Sequence, residues 1–213
     1  MYENSNREII VVTGSSGLIG SRLVKQLAGT YYVVGMDVES PKETYENTSH
    51  IDCDLTSDEG VEEAFRQLRD QFGSRIASVV HLAAYYDFSG EPSPLYEELT
   101  VHGTRRVLKA FDNFTVEQFI FSSTLLVMKS SEDDHPVTAS SLVDAEWDYP
   151  QSKLETEQLI ETEGSGIRTV ILRLAGAYDE DCHSVPLAQQ MARIFEKQME
   201  SYMFPGDKTH GQS

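Results

Sequence analysis

Tyr149 and Lys153 stand four residues apart, so on a helix the phenol and the ammonium share one face and can point into one crevice. A free tyrosine, with a pKa of about 10, is a poor base at neutral pH, but a lysine charge beside it favours the phenolate and makes the hydroxyl a usable general acid or base. A second group lies in the run Thr13-Gly14-Ser15-Ser16-Gly17-Leu18-Ile19-Gly20, which follows the β-branched stretch Ile9 to Val12 and opens a segment of helical period. Glycine, lacking a Cβ, lets backbone approach a pyrophosphate, and the first N–H groups of the helix supply unpaired donors at the positive end of a dipole. Gly14, Ser16, Gly17, Leu18, Ile19 and Gly20 are therefore candidate contacts of a dinucleotide. Asp37 ends the next apolar run, where a carboxylate can accept hydrogen bonds from an adenosine ribose. A 2′-phosphate would meet Asp37 and Glu39 with no basic side chain before Lys42, so the expected cofactor is NAD rather than NADP.

The elements that must hold these groups follow from periodicity. Short β-branched runs, Ile9 to Thr13, Tyr31 to Asp37, Ile76 to Leu82, Gln118 to Ser122 and Thr169 to Leu174, read as buried strands. Between them, Gly17 to Leu27, Asp58 to Phe72, Leu95 to Phe111 and Tyr149 to Glu163 have the pattern of packing helices, the last ending before Gly164 and Gly166. This alternation predicts an α/β fold, a doubly wound parallel sheet of Rossmann type with its ligand crevice at the carboxyl ends of the strands. The expected division is a dinucleotide-binding domain over residues 1–180 and an incomplete substrate-binding region over 181–213, where Val185 to Met203 reads as one amphipathic helix. Lys129 to Asp148, rich in serine, aspartate and proline, reads as a long loop.

Composition excludes several classes. With 17 basic against 35 acidic residues the net charge is −18, which repels a phosphate backbone and argues against nucleic-acid partners. The run of about 20 apolar residues needed for a membrane span is absent, as is a basic start leading into a long apolar run, so a cytoplasmic location is expected. Cys53 and Cys182 are far apart and read as free thiols, and the scattered histidines have no metal-ligand spacing, so no metal is expected.

The glycine spacing resembles that of the short-chain dehydrogenase/reductase superfamily, and later segments extend the likeness to its extended, epimerase-like branch. Asp54-Leu55 matches the family's aspartate and apolar residue, which the resemblance implies touch the adenine. His81-Leu82-Ala83-Ala84 matches its His-x-Ala-Ala, where Leu82, Ala83 and Ala84 pass close to the cofactor. Thr100-Val101-His102-Gly103-Thr104 is similar to Asn-Val-x-Gly-Thr, with threonine in place of asparagine. Phe119 to Thr124 resembles the active-site strand, Tyr149 to Lys153 supplies the Tyr-x-x-x-Lys signature, and Arg173 to Tyr178 resembles the start of the substrate region. The resemblance implies that Lys153 bonds the nicotinamide ribose and that Thr124 orients the reacting oxygen.

The implied activity is NAD-dependent redox chemistry or epimerisation at a carbon bearing a hydroxyl or ketone, on a small molecule such as a nucleotide sugar, with Thr124, Tyr149 and Lys153 as the catalytic set. The 4,6-dehydratases carry Asp-Glu after the threonine, whereas Leu125 and Leu126 follow here, which disfavours that reaction. A non-catalytic NAD-binding regulator on the same fold is the alternative. Family members commonly run on for about another hundred residues, so the chain is expected to be a cofactor-binding fragment truncated at its C-terminus. Analogy further implies a homodimer through the helices at 95–111 and 149–163.

Overall fold

The computed structural model describes residues 7–87, 91–129, 136–164, 166–178 and 183–196. Its chain divides into two compact units, Met1–Ser123 with Glu146–Leu172, and Thr124–Ala145 with Arg173–Ser213. Strands β1 (Ile9–Thr13), β2 (Tyr32–Asp37), β3 (Thr48–Asp52), β5 (Ser78–His81), β7 (Gln118–Thr124) and β8 (Arg168–Leu174) form one sheet in the order β3-β2-β1-β5-β7-β8, the short strands β4 (Arg75–Ile76) and β6 (Thr115–Val116) pairing separately. The registered pairs β1–β2, β1–β5, β2–β3 and β5–β7 are all parallel. The order reverses between β1 and β5, which places a crevice at the carboxyl ends of those strands.

In the first unit the central strand β1 is buried along its whole length, as a strand covered on both faces must be. Alternate residues feed two clusters. Ile9 and Val11 pack with Val34, Phe65, Leu68, Phe119 and Phe121, and Ile10 and Val12 pack with Val33 and with Leu23, Val24 and Leu27. The first face is covered by α2 (Asp58–Phe72), α3 (Gly103–Ala110) and α4 (Asp148–Glu163), the second by α1 (Leu18–Leu27). Ser57 caps α2 by accepting from the Gly60 amide at 3.0 Å, and Asp58 and Glu59 in the first turn complement its dipole.

Three departures from the periodicity have local causes. The expected strand Ile76 to Leu82 is split, Ile76 leaving the main sheet to pair with Val116. The expected helix Leu95 to Phe111 begins as a π-helical turn, Tyr96–His102, before α3. Strand β3, of mixed polarity and partly exposed at the sheet edge, carries no apolar run that periodicity could reveal.

In the second unit Thr124 caps a tight turn at Leu125–Val127 by accepting from the Leu126 amide at 3.3 Å. The stretch expected to be a loop contains an antiparallel bridge between Met128 and Val143, flanked by Lys129 N to Leu142 O at 2.8 Å. Helix α5 (Val185–Phe195) covers the first part of the expected Val185 to Met203 helix, with Met191, Ile194 and Phe195 exposed; Met199 and Met203, like Cys182, lie outside the described residues.

His81, fully buried at the end of β5, ties the first unit together. The Thr104 hydroxyl donates to Thr100 O at 2.6 Å, so it accepts from His81 Nε2–H at 3.0 Å, which leaves Nδ1 to accept from the Thr13 hydroxyl at 2.7 Å. The ring is thus neutral, and burial first, with the Lys153 charge second, holds its pKa down at about 3. The unfolded chain takes up this proton below its ordinary pKa of 6.5, while the native state refuses it until about 3. Stability contributed above pH 6.5 should therefore be lost as pH falls towards 3, at up to about 1.4 kcal/mol per pH unit. Denaturant titrations across this window should show that slope in the wild type and a shallower one in His81→Gln.

Candidate cofactor and acid-base site

The loop between β1 and α1 is shaped by backbone contact. Gly14 has φ +68, and a Cβ there would lie 2.7 Å from Ala83 N; a Cβ on Gly20 would lie 2.0 Å from Gly14 O. The protein's own packing therefore demands both glycines. Gly17 is different. Its φ is −70, and a Cβ would meet only Gly14 O at an ordinary 3.4 Å, so nothing in the fold requires its bareness. Gly17 is also the N-cap of α1, which has no side-chain cap and no acidic residue in its first turn. Bare backbone and uncapped amides form a cradle fitted to an anionic group, with Leu18 and Ile19 exposed beside it.

Beside the loop lies an open cavity lined by Thr13, Gly14, Met36, Asp37, Val38, Cys53, Leu55 and Ala83. Asp37 accepts from the Ser16 amide at 2.9 Å and the Glu39 amide at 3.2 Å, and the Ser16 hydroxyl donates to Glu39 O at 2.6 Å. The carboxylate thus braces the glycine loop while forming part of the cavity wall. Asp54 is exposed and folds back on its own turn, accepting from Thr56 N at 2.9 Å and the Thr56 hydroxyl at 2.7 Å. Its neighbours Cys53 and Leu55 are the residues that line the cavity. Leu55 is fixed from behind, by Arg106 Nη1 on its carbonyl at 3.0 Å and by Gly103, where a Cβ would stand 3.1 Å from Leu55 Cβ. On the opposite wall Leu82 N donates to Thr13 O at 3.2 Å and Ala83 N to the Thr13 hydroxyl at 3.4 Å, and Ala84, partly buried, follows in the same strand-end segment. Burial, with Asp54 and Asp37 adding to it, pushes the Cys53 thiol up to about 12, so this side chain is an apolar wall and not a nucleophile.

Sequence reasoning gave no site role to Met36, Arg106 or Cys53, the last read only as a free thiol, and it placed Gly103 in the Thr100–Thr104 motif without a contact to Leu55. Met36 looks like a core residue, and Gly103 and Arg106 act through Leu55, which the spacing of chemical groups does not reveal.

Tyr149 sits in the first turn of α4 and Lys153 one turn on, with Pro150 and Ser152 buried between them. The Tyr149 ring meets Tyr86 edge-on at 4.5 Å, Trp147 at 5.6 Å and Tyr96 at 6.4 Å between centroids. Tyr85 packs on Tyr96 at 4.8 Å, while Phe88 lies outside the described residues. Lys153 is 2% exposed. Its Nζ donates to Ser122 O at 2.7 Å, lies 4.8 Å above the Phe121 ring and 5.9 Å from the Tyr149 ring centre. Burial brings its pKa down to about 7, opposed by the carboxylate of Glu157. The structure thus brings Tyr149 and Lys153 together in the first unit, whereas Thr124 belongs to the second.

A parallel α/β sheet, a bare glycine cradle, a carboxylate at the end of β2 and a Tyr-Lys pair on one helix are together the features of a dinucleotide-binding fold. The chain belongs to the NAD dependent epimerase/dehydratase family, whose model matches residues 10–202. The family is NAD-dependent, and NAD is the cofactor. An N-acetyl-alpha-D-glucosaminyl-diphospho-ditrans,octacis-undecaprenol 4-epimerase of Escherichia coli O157:H7 is 26% identical over 155 residues, covering 71% of this chain and 42% of that protein. A decarboxylating sterol-4-alpha-carboxylate 3-dehydrogenase of Candida albicans is 26% identical over 207 residues, covering 87% of this chain and 55% of that protein. The chain spans about half the length of the curated relatives it matches. Among solved structures, the Bordetella bronchiseptica enzyme WbmG in complex with NAD shares the fold with TM-score 0.72 at 22% identity, covering 93% of this chain and 63% of that one. The UDP-glucuronic acid 4-epimerase of Bacillus cereus, in complex with UDP-glucuronic acid and NAD, does so with TM-score 0.71 at 24% identity, covering 88% and 63%. No helix among the described residues is long and apolar enough to cross a membrane.

Two substitutions separate packing from binding. Gly17→Ala should leave stability within about 1 kcal/mol of wild type while weakening NAD binding about tenfold or more, as measured by calorimetric titration. Lys153→Met removes a buried group whose charged form the fold disfavours even with Glu157 beside it, so it should raise unfolding stability at pH 7. Sign and window follow from the depressed pKa: the unfolded chain gains the proton below 10.5 and the native state only below about 7, so the difference should vanish as pH rises through 10.5.

Proposed function

We propose that this chain is the cofactor-binding part of an NAD-dependent oxidoreductase or epimerase acting at a carbon that bears a hydroxyl or ketone. The observation that carries the reading is the pairing of Tyr149 with a nearly buried Lys153 on one face of α4. When bound, NAD supplies the hydride acceptor or donor. Gly14, Ser16, Gly17, Leu18, Ile19 and Gly20 form the loop that holds the pyrophosphate; the α1 dipole and the uncapped amides of its first turn attract it, while the Gly14, Ser16 and Gly17 amides bond Met36 O, Asp37 and Gly14 O and shape the loop. Asp37 accepts from the adenosine ribose, and its charge turns away a 2′-phosphate. Asp54, Leu55, Leu82, Ala83 and Ala84 bound the remainder of the dinucleotide.

Tyr149 removes or returns the proton of the substrate hydroxyl, and Lys153 favours its phenolate. Lys153 spends one hydrogen bond on Ser122 O and has two further N–H donors for ribose hydroxyls. Thr124 orients the reacting substrate oxygen. Residues 1–180 form the NAD-binding domain and residues 181–213 open the substrate-binding region. A nucleotide sugar is a substrate class this reading accommodates: a solved structure named above holds UDP-glucuronic acid, while the relatives' names carry a sugar diphosphate linked to undecaprenol and a sterol carboxylate.

In a form of the protein with measurable activity, Tyr149→Phe should lower hydride transfer by about 10²–10⁴-fold and leave NAD affinity within about twofold, measured by NADH absorbance over a panel of nucleotide sugars and secondary alcohols. A near-normal rate would remove the acid-base role; the 213-residue chain itself is expected to bind NAD with little or no turnover, and NAD binding without turnover by a form that carries the whole substrate region would favour the regulatory alternative. NAD should bind more tightly than NADP, and Asp37→Ala should narrow that preference; equal affinities in the wild type would remove the role given to Asp37.

A further inference from the structure

Tyr149, Lys153 and Glu157 follow one another at four-residue steps along α4, and Glu157 lies outside the acid-base pair just described. Glu157 is 4% exposed and Lys153 2% exposed, which sets them apart from the solvated Glu–Lys pairs that decorate helix surfaces and contribute little. Both side chains reach the end of the same strand. Lys153 Nζ donates to Ser122 O at 2.7 Å, and the Ser123 hydroxyl donates to Glu157 Oε1. Ser123 is itself buried, so this bond fixes the carboxylate in a place that water reaches poorly.

We infer that Glu157 is a positioning residue: its buried carboxylate, anchored by Ser123, is the fixed counter-charge that keeps Lys153 an ammonium beside the Tyr149 ring. Inside a protein the field of such a charge is damped far less than in water, and an ammonium without a counter-charge there loses its proton. The other titratable groups facing Lys153 are neutral His81 from β5 and Tyr149 on α4 itself. Phe121 from β7 offers its ring face, which favours a cation without titrating. The carboxylate that acts on Lys153 among the described residues is that of Glu157, and it opposes the burial that brings the lysine down to about 7. Lys153 therefore titrates close to neutrality, where a modest change in counter-charge decides its protonation and, on the proposed reading, its ability to support a Tyr149 phenolate.

The test is a direct titration of Lys153 in the full chain, free of cofactor and substrate, by ¹H–¹³C NMR of ¹³C-labelled lysine, the signal being assigned through Lys153→Met. Glu157→Gln keeps an acceptor for Ser123 and removes only the charge. It should lower the Lys153 midpoint by about one pH unit, a tenfold loss of proton affinity, with the native fold retained by circular dichroism. Glu157→Asp keeps the charge but draws it back, and should give a smaller downward shift. A midpoint in Glu157→Gln within about 0.3 units of wild type would overturn the inference, whatever else the variant does. Should that variant fail to fold, an unmoved midpoint in Glu157→Asp would overturn it instead. A lysine that shifts as stated in a chain that does not bind NAD would count against the proposed function alone, and an unshifted lysine in a chain that binds NAD against Glu157 alone.

Discussion

An ammonium taken out of water is the costliest feature of this molecule, and much of the first unit is arranged around it. Burying a charge of this size carries an effective penalty of several kcal/mol unless hydrogen bonds and counter-charges offset it. Lys153 has a carbonyl at the end of β7, the face of Phe121, and a carboxylate one turn further along its own helix. The adjacent histidine is held neutral, so that two cations do not face each other in the core. That neutrality is in turn fixed by a chain of hydroxyls running from Thr13 through His81 to Thr104 and Thr100, so the lysine and the glycine loop are parts of one polar framework. A fold selected for stability alone would place a methionine or leucine at position 153. The persistence of the charge is the physical argument that the position works for a living.

The glycine loop rests on sterics instead of charge. Gly14 and Gly20 are required because the strand end at Ala83 and the carbonyl of Gly14 approach too closely for any side chain. Gly17 is bare without such need, and the difference among three glycines separates the residues that shape the loop from the residue that leaves room above it. Asp37 joins the two tasks, since its carboxylate steadies the Ser16 amide and also walls the cavity. The carboxylate is thus part of the loop's own hydrogen bonding before any ribose reaches it.

Much of this could be read from the sequence. The strands β1 and β2, the helices α1 and α2 and the Tyr149–Lys153 spacing carry strong local signals: unbroken β-branched runs, a 3.6-residue stripe, and a Ser-Asp-Glu start to α2. Strand β3 escaped because an edge strand of alternating polarity lacks an apolar run. The π-helical turn at Tyr96–His102 escaped because its side chains repeat almost as an α-helix does, and hydrogen-bond register is invisible to periodicity. Asp54 marked the right loop, yet the side chains that line the cavity are its neighbours, because a short carboxylate beside Thr56 closes its own turn. Glu157 resembles any surface glutamate in sequence, and only the tertiary fold reveals that its face of α4 is buried.

On the proposed reading the glycine loop, Asp37 and Lys153 line one cofactor crevice. The most direct measurement is an amide ¹H–¹⁵N spectrum of the labelled chain titrated with NAD. The account predicts the largest shifts at Ser16, Gly17, Leu18 and Ile19, with further shifts at Val38 and Lys153, all following one binding curve. Shifts confined to other regions, or a loop spectrum unmoved by saturating NAD, would contradict it.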